Sequence, residues 1–347
     1  MRFISIYIFL LPFLVLKSDL LDAEGFETHE GVRIVFTGDV FLGNWAAEFI
    51  EKYGVDYPFR DCKDILKEAD LCVCNLEGPI TSDGEPFPEK EFVLKMPPGI
   101  QQGLKEANFL CVNLANNHIM DYGEDGLNAT FQALDSSNIK YFGAGENRSK
   151  ALIEASFELK GQTFGFLGFS ATFPMEFWAT DSTAGTAFPW NEDIEKVIPE
   201  CDKNYDNLIV SFHWSAELKE IPKDYQIELA HKCIDLGADM IIGHHPHVPQ
   251  SIEIYRKKPI FYSLGNFAFA SYSENAEVGL LVSADFNDDG LSGVKVIPVN
   301  VYNNEVNFNP APLKGGLRDK FLERLRDISQ ELNSESIVIT DAGKLKF

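Results

Sequence analysis

Five apolar runs in this sequence each end on a polar or ionisable side chain. Uninterrupted apolar runs of this length are typical of strands that are buried on both faces, as in an α/β protein. Ligands of open α/β sheets bind in the crevice beyond the carboxyl ends of the strands. We therefore expect one rim of functional side chains at that edge of the sheets. The side chains that follow the five runs are Asp39, Glu77, Asn117 with His118, His213, and the group His244, His245 and His247.

The side chains of this rim are of the types that bind metal ions. Imidazole nitrogen combined with carboxylate and amide oxygen suits Mn, Zn, Fe or Mg. Taken one at a time, the segments also have a structural explanation, such as a turn or a hydrogen-bonded core histidine. Their order at strand ends, with three histidines between 244 and 247, favours a site for a divalent metal. We expect one or two ions as the cofactor.

Apolar runs alternate with helical segments over the first two-thirds of the chain, and strands crowd into the last third. This order predicts an α/β fold with mixed sheets. The segment 172–190 is predicted to be a loop, either a substrate-facing lid or a packed part of the surface. The predicted strands are 32–37, 71–76, 109–114, 152–159, 163–169, 207–212, 239–242, 251–255, 259–264, 278–285 and 294–301, and the predicted helices are 45–53, 60–69, 123–137, 191–202, 224–236 and 317–332.

The formal net charge of the chain is −23. A field of that sign repels nucleic acid and anionic membrane surfaces, so no nucleic-acid partner is expected. It also repels an anionic polymer unless metal ions or a local basic patch offset the charge.

The N-terminus carries Arg2 followed by an apolar run over 3–16. This is the composition of a signal peptide, and the run is short for a membrane-spanning helix. We predict a signal peptide or N-terminal anchor over 1–23, with a buried strand as the alternative. The first interpretation places the domain outside the cytoplasm, exported or membrane-anchored, in the cell envelope.

The pattern of the six cysteines favours small buried side chains over a disulfide framework, and the sequence leaves their redox state open. Cys72, Cys74 and Cys111 lie inside apolar strand-like runs. Because successive side chains of a strand point to opposite faces, Cys72 and Cys74 should share one face.

Six segments, in this order, resemble the CapA family, whose members are named for poly-γ-glutamate capsule synthesis. The resemblance runs from about Val32 to Phe269. It implies a calcineurin-like metallophosphoesterase fold, a four-layer α/β/β/α sandwich with mixed sheets, as a CapA-type domain over 32–312, with 313–347 as a C-terminal helix and tail packed on it. The segments are GDVFLGN (38–44), NLEGPIT (75–81), NNHIMDYGEDGL (116–127), HWSAEL (213–218), GHHPHVPQ (243–250) and YSLGNFAF (262–269).

The resemblance also implies roles for the rim residues. Glu77 takes the place of a carboxylate that bridges two metals, and His118 that of an acid or charge stabiliser. Asp121 and Glu217 are further catalytic candidates, which would orient His118 or the substrate. The implied metal ligands are Asp39, Glu77, Asn117, His213, His245 and His247, and the implied substrate contacts are Asn44, Asn116, His244 and Asn266.

Several positions depart from the family patterns. Phe41 stands where phosphoesterases usually have a histidine, so one metal position loses a ligand. Glu77 is longer than the usual aspartate, which changes the distance between two metals. On the substrate side, Asn44, Ser215 and Leu218 replace the usual arginine, glycine and aromatic residue.

Three functions are consistent with these features. The first is a metal-dependent hydrolase-like enzyme that acts on poly-γ-glutamate or a related anionic amide polymer during its biosynthesis or processing. The second is a non-catalytic subunit of a membrane polymer synthase or exporter, with synthase subunits as partners. The third is a metal-dependent phosphoesterase, against which Phe41 and Glu77 both argue.

Overall fold

Two mixed β-sheets, stacked face to face, carry the site at their edge. The computed structural model describes residues 31–82, 84–88, 90–333 and 338–346. The strands are β1 (Val32–Phe41), β2 (Leu71–Leu76), β3 (Phe109–Asn113), β4 (Lys140–Phe142), β5 (Ala144–Gly145), β6 (Ala155–Leu159), β7 (Gln162–Ser170), β8 (Gly185–Thr186), β9 (Asn207–His213), β10 (Met240–His244), β11 (Ile252–Tyr255), β12 (Lys258–Phe261), β13 (Asn266–Phe269), β14 (Val278–Asn287), β15 (Gly290–Asn300), β16 (Ala311–Pro312), β17 (Val338–Ile339) and β18 (Lys344–Lys346).

The helices lie mainly in the connections between the parallel strands. They are α1 (Asn44–Tyr53), α2 (Lys63–Lys67), α3 (Ile100–Glu106), α4 (Gly123–Ser136), α5 (Arg148–Ala151), α6 (Asn191–Asp202), α7 (Asp224–Asp235), α8 (Asn303–Val306) and α9 (Gly315–Gln330). Short 3-10 turns cover Tyr57–Cys62 and Met175–Phe177. Within the described residues, no helix combines the length and apolar composition needed to cross a membrane. The segment 1–23, predicted to be a signal peptide or anchor, lies outside the described residues.

Within the described residues, the larger sheet has ten strands in the order β17-β18-β15-β14-β1-β2-β3-β4, with β13 also paired to β1 and β16 to β15. The second sheet has six, in the order β11-β12-β10-β9-β7-β6. The run from β1 to β4 is parallel, as is the run from β7 through β9 and β10 to β12. The carboxyl ends of the parallel strands in each run therefore lie at one edge of their sheet.

The period-2 alternation of the strands produces the layers. In β1, Ile34 and Phe36 face the core between the two sheets, whereas Val35 packs against the helices outside the larger sheet. In β9, Ile209 faces the core between the sheets, and Val210 packs in the core that contains residues of α6 and α7. Three apolar cores between four layers result, which confirms the predicted α/β/β/α sandwich.

Several element boundaries differ from the predictions: β6 begins at Ala155 and not at 152, β12 ends at Phe261 and not at 264, and β15 begins at Gly290 and not at 294. Strand β1 continues past Thr37 to Phe41, because Asp39 pairs with Asn266 of β13. Strand β10 continues to His244, which pairs with His213. The helix predicted over 60–69 is instead a 3-10 turn that starts beside Pro58 and runs into the five-residue α2. Pairing with another strand extends β1 and β10, and a local sequence pattern does not predict such pairing.

The loop predicted over 172–190 contains the short strand β8 and a 3-10 turn. Phe177 is buried in the core outside the larger sheet, whereas Phe173 is 72% exposed. Part of the segment therefore packs as a surface loop does, and part faces solvent.

The six cysteines are buried, and among the described residues none forms a disulfide. Cys72 and Cys74 lie in the same core, outside the larger sheet, whereas Cys111 faces the core between the sheets. Burial raises the pKa of the Cys62 thiol to about 12. The prediction of small buried side chains is confirmed.

One glycine lets two segments meet at the site. A Cβ atom on Gly38 would lie 1.9 Å from the carbonyl oxygen of Gly265. The backbone amide of Asp39 donates a hydrogen bond of 3.0 Å to that same oxygen. A side chain at position 38 would push β13 away from β1, and with it Asn266 from Asp39.

Candidate metal centre

The rim side chains predicted from strand ends lie at the carboxyl ends of the parallel strands. Asp39 is within the last residues of β1, Glu77 directly follows β2, and His213 and His244 end β9 and β10. All four are at most 2% exposed. Carboxylates and imidazoles are rarely buried to this extent unless they are paired or bind a metal.

The first candidate cluster consists of Glu77, His213 and His245. One ligand atom from each lies within 4.8 Å of the others. The distance from Oε1 of Glu77 to Nε2 of His213 is 3.8 Å. Oδ1 of Asn117 lies 2.8 Å from the same Nε2. Two imidazoles, a carboxylate and an amide oxygen therefore surround one small volume.

The second candidate cluster consists of Asp39, Glu77 and His247, again with ligand atoms within 4.8 Å of one another. Glu77 belongs to both clusters, which is the position that a bridging carboxylate requires. Nδ1 of His247 lies 3.4 Å from Oδ2 of Asp39 and donates a hydrogen bond of 2.9 Å to Oδ1 of Asn266. That hydrogen bond leaves Nε2 as the free ring nitrogen, as in many metal-binding histidines.

Two buried atoms of these clusters test whether the residues fit a cation. Among the described residues, Oε1 of Glu77 and Nδ1 of His245 have no hydrogen-bond partner. Buried polar atoms are nearly always paired, so an unpaired carboxylate oxygen and an unpaired imidazole nitrogen in the same cluster call for a ligand. Burial also lowers the pKa of His245 to about 3 and that of His213 well below its usual range. Both are therefore neutral, as metal binding requires. The donor set fits a divalent cation.

The pKa values of the two carboxylates of the site are shifted in opposite directions. Burial opposes ionisation of Asp39, but contacts with His244 and His247 outweigh it and hold the pKa of Asp39 well below its usual range. Burial, aided by the charge of Asp39, raises the pKa of Glu77 well above its usual range. Burial opposes protonation of His247, but the Glu77 charge and the Asp39 contact raise its pKa to about 9. Positive charge is thus favoured between Asp39 and Glu77.

The backbone between β10 and β11 has an unusual conformation at two histidines. His245 has φ = 94° and His247 has φ = 60°, both in the left-handed region that favours glycine. Such strain in residues other than glycine is concentrated at functional sites. The ring centroids of His245 and His247 lie 5.8 Å apart, and that of His213 lies 4.7 Å from His245.

Asn75 lies at the centre of the site, although no strand-end argument selects it. Its Nδ2 atom is 2.8 Å from Oδ1 of Asp39, 3.4 Å from Oε2 of Glu77 and 3.3 Å from Nδ1 of His213. Asn75 precedes Glu77 by two residues, so the period of a strand places the two side chains on the same face. That spacing was the signal that could have identified it.

Asn116 and His244 were predicted to contact substrate. Asn116 is fully buried; its amide nitrogen donates to Oδ1 of Asn75 and to the carbonyl of Leu76, and its Oδ1 accepts from the His118 amide. Nδ1 of His244 lies 3.2 Å from Oδ1 of Asp39. These contacts position the neighbouring groups, and a direct contact with substrate stays a prediction for both.

His118 faces the first cluster, with Nε2 3.9 Å from Oε1 of Glu77. Its other ring nitrogen lies 2.7 Å from Oδ2 of Asp121, which is fully buried. Burial lowers the pKa of His118. The ammonium group of Lys90, which the sequence argument did not select, lies 2.9 Å from Nδ1 of His118. Lys90 belongs to a loop without periodicity, so no sequence pattern pointed to it.

Two predicted site residues lie further out. Glu217 is exposed, and its charge contributes to raising the pKa of Glu77. Asn44 is exposed at the first residue of α1. The histidine position taken by Phe41 is apolar and buried, since this ring packs against Phe269 with centroids 5.6 Å apart. Of the two orienting candidates for His118, the structure places Asp121 against the ring.

The fold of the described residues is that of the calcineurin-like metallophosphoesterases, as predicted. It is similar to the NAD nucleotidase of Haemophilus influenzae, with a TM-score of 0.50 and 13% sequence identity, over 88% of this chain and 65% of that one. At that identity the likeness concerns the fold alone.

Residues 33–271 match the family described as bacterial capsule synthesis protein PGA_cap, and the chain belongs to this family. It is 33% identical to the capsule biosynthesis protein CapA of Bacillus anthracis, over 79% of this chain and 68% of that protein. It is also 33% identical to the PGA biosynthesis protein CapA of Bacillus subtilis, over 90% of this chain and 81% of that protein. The predicted membership of the CapA family is confirmed.

The two clusters predict distinct losses of metal. After loading with Mn or Zn, His245→Ala should lose an ion from the first cluster and keep the second, because Asp39, Glu77 and His247 remain. Glu77→Gln should weaken both positions, because both use its carboxylate. Elemental analysis of the dialysed proteins measures the ratio of metal to protein. His231→Ala, whose ring pairs with Glu253, is the matched control. Equal metal in wild type and Glu77→Gln would contradict a shared ligand.

Glu77 should lower the stability of the metal-free protein. Burial raises the pKa of Glu77 in the folded state, so stability is lost as the pH rises above the ordinary glutamate value near 4.5. In EDTA, Glu77→Gln should be more stable than wild type by about 2 kcal/mol at pH 7, with the difference vanishing towards pH 4.5. Urea unfolding across this pH range measures it. With saturating metal the order should reverse; a metal-free wild type more stable than the variant at pH 7 would refute the argument.

Proposed function

We propose that this protein is a metal-dependent hydrolase that acts on the amide bonds of poly-γ-glutamate, or a related anionic polymer, during its biosynthesis or processing. The observation that supports hydrolysis is the pair of clusters sharing the buried Glu77, with His118 directed at them by Asp121. The polymer is suggested by the name of the Bacillus subtilis relative. Family membership by itself leaves the reaction open.

Two groups of side chains would hold the metal. Glu77, Asn117, His213 and His245 would hold one ion, and Asp39, Glu77 and His247 a second. A divalent cation in such a mixed nitrogen and oxygen shell supplies Lewis-acid chemistry for the attack of water on a carbonyl group. The remaining open positions are the places where a substrate carbonyl and water could enter.

His118 would supply the proton that the reaction requires. Hydrolysis of an amide adds water across the carbon–nitrogen bond and yields a carboxylate and an amine, so the departing nitrogen must be protonated. When the ring is protonated, Nδ1 donates to Asp121 and the N–H at Nε2 faces the cluster, from where it can deliver that proton. A positioned general acid typically contributes about 10²- to 10⁴-fold to the rate.

The charge of the substrate and that of the protein have to be reconciled. The chain carries a net charge of −23, which repels an anionic polymer. The divalent cations would offset this repulsion at the reacting bond, and Asn44, Asn116, His244 and Asn266 remain the predicted substrate contacts. Binding of the polymer should therefore depend on metal.

His118→Gln should lower kcat for poly-γ-glutamate cleavage by about 10²-fold or more, because it removes the proton donor, while the metal content stays unchanged. His245→Ala should lose the ion of the first cluster together with activity, and His231→Ala should keep the full metal content and the activity. The measurement is release of new amino groups from the polymer, with chain length followed by gel filtration. Cleavage of a phosphodiester but not of the polymer would favour a phosphoesterase. Metal-dependent polymer binding without any turnover would favour a non-catalytic synthase subunit.

We also propose that the domain works outside the cytoplasm, exported or anchored in the cell envelope, on the basis of the apolar run over 3–16 behind Arg2. Protease added to intact cells that produce the full chain should degrade the protein and leave a cytoplasmic marker intact. Protection of both until the cells are lysed would overturn the proposal. The N-terminal sequence of the recovered protein would distinguish a cleaved signal peptide from an anchor.

A further inference from the structure

Lys90 places its ammonium group among three partners of the candidate catalytic segment. Its Nζ atom lies 2.5 Å from Oδ1 of Asp121 and 2.9 Å from Nδ1 of His118, and it donates to the backbone carbonyl of Asn117. An ammonium group has three N–H donors. Two of them are directed at Asp121 and the carbonyl of Asn117, whereas Nδ1 of His118 donates to Asp121 and only lies close to the ammonium group.

Asp121 needs this cation. Its carboxylate is fully buried and already accepts hydrogen bonds from the backbone amide of Leu94, at 2.6 Å, and from the ring of His118. A buried carboxylate is tolerated when it is paired with a cation, and it is strongly unfavourable when the partner is removed. Lys90 supplies the positive charge, and its own side chain is only 15% exposed.

Aromatic rings shield the ion pair from water. The ring centroid of Phe177 lies 5.3 Å from Nζ of Lys90. Phe87 packs edge-on against Phe177 at 5.0 Å. An ion pair covered in this way is less screened than one at the surface, so its geometry is held more firmly.

We propose that Lys90 is a positioning residue for the reaction, an inference that rests on the proposed hydrolytic function. Through Asp121 it fixes the ring of His118, so that Nε2 faces Glu77. Through the carbonyl of Asn117 it fixes the backbone from which the amide ligand and the imidazole both project. One cation thereby sets the relative position of a metal ligand and the proton donor.

The first test compares Lys90→Met with wild type, because methionine keeps an apolar stem and removes the charge and the three donors. Lys90→Met should lower kcat for polymer cleavage by about 10-fold or more, with a smaller change in KM, since misplacing a general acid removes part of its contribution. Lys90→Arg should recover only part of kcat. It keeps the positive charge, but its planar guanidinium group directs its N–H donors differently from an ammonium group. Lys95→Met is the matched control, since Lys95 lies in the same loop with its Nζ 4.8 Å from the ring centroid of Tyr122.

A second readout does not depend on activity. In protein labelled with ¹⁵N-histidine, the ring signals of His118, assigned with His118→Gln, report the hydrogen bonding of its two nitrogens. Lys90→Met should shift these signals, and Lys95→Met should leave them unchanged. If Lys90→Met fails to fold, Lys90→Met/Asp121→Asn removes the unpaired charge and serves in its place.

The two readouts separate the inference from the function on which it rests. If Lys90→Met shifts the His118 signals but the wild type cleaves no polymer, the role of Lys90 in positioning His118 is retained and the hydrolase is refuted. An active wild type with kcat and His118 signals unchanged in Lys90→Met would overturn the positioning role and leave the hydrolase standing. A loss of melting temperature with kcat and ring signals unchanged would likewise make Lys90 a structural anchor only.

Discussion

The electrostatic relation between Asp39 and Glu77 governs the rest of this site. Both carboxylates are fully buried, and the charge of one raises the pKa of the other. Like charges in a medium of low dielectric repel strongly unless positive charge lies between them. Among the described residues, the contacts of His247 with Asp39 and of Asn75 with both carboxylates partly reduce this repulsion. A divalent cation would supply enough positive charge to offset the repulsion. The paired carboxylates would therefore stabilise the protein with the cation bound and destabilise it without the cation.

The fold is arranged to bring these two carboxylates together. Asp39 and Glu77 come from adjacent parallel strands, and the histidines of the two clusters come from the second sheet, so the site depends on the packing of one sheet on the other. The close approach at Gly38 and the left-handed backbone at His245 and His247 bring the last ligands within reach. Such local strain can be borne because three large apolar cores stabilise the same domain.

The family resemblance was sufficient for the four layers, and the apolar runs were sufficient for the α/β class and for most of the rim. Apolar runs of strand length predict where strands end, and in parallel sheets the carboxyl ends lie at one edge. Asp39, Glu77 and His213 could therefore be assigned to that edge from the sequence. Asn75 could have been found from its spacing to Glu77. The pairing of Asp39 with Asn266 could not, because it depends on strands more than two hundred residues apart. Lys90 was also beyond sequence reasoning, since its loop has no period that fixes the direction of a side chain.

The replacement of a histidine by Phe41 weakens one metal position less than the sequence comparison implied. Phe41 is buried against Phe269, so the lost ligand is replaced by an apolar contact and not by a competing polar group. Asp39, Glu77 and His247 still converge without it. Three protein ligands with an open position are the usual composition of a catalytic zinc site, whereas structural zinc sites are closed by four. On this argument Asp39, Glu77 and His247 keep the three ligands that a catalytic site needs, and in the proposed reaction a group of the substrate would complete the shell.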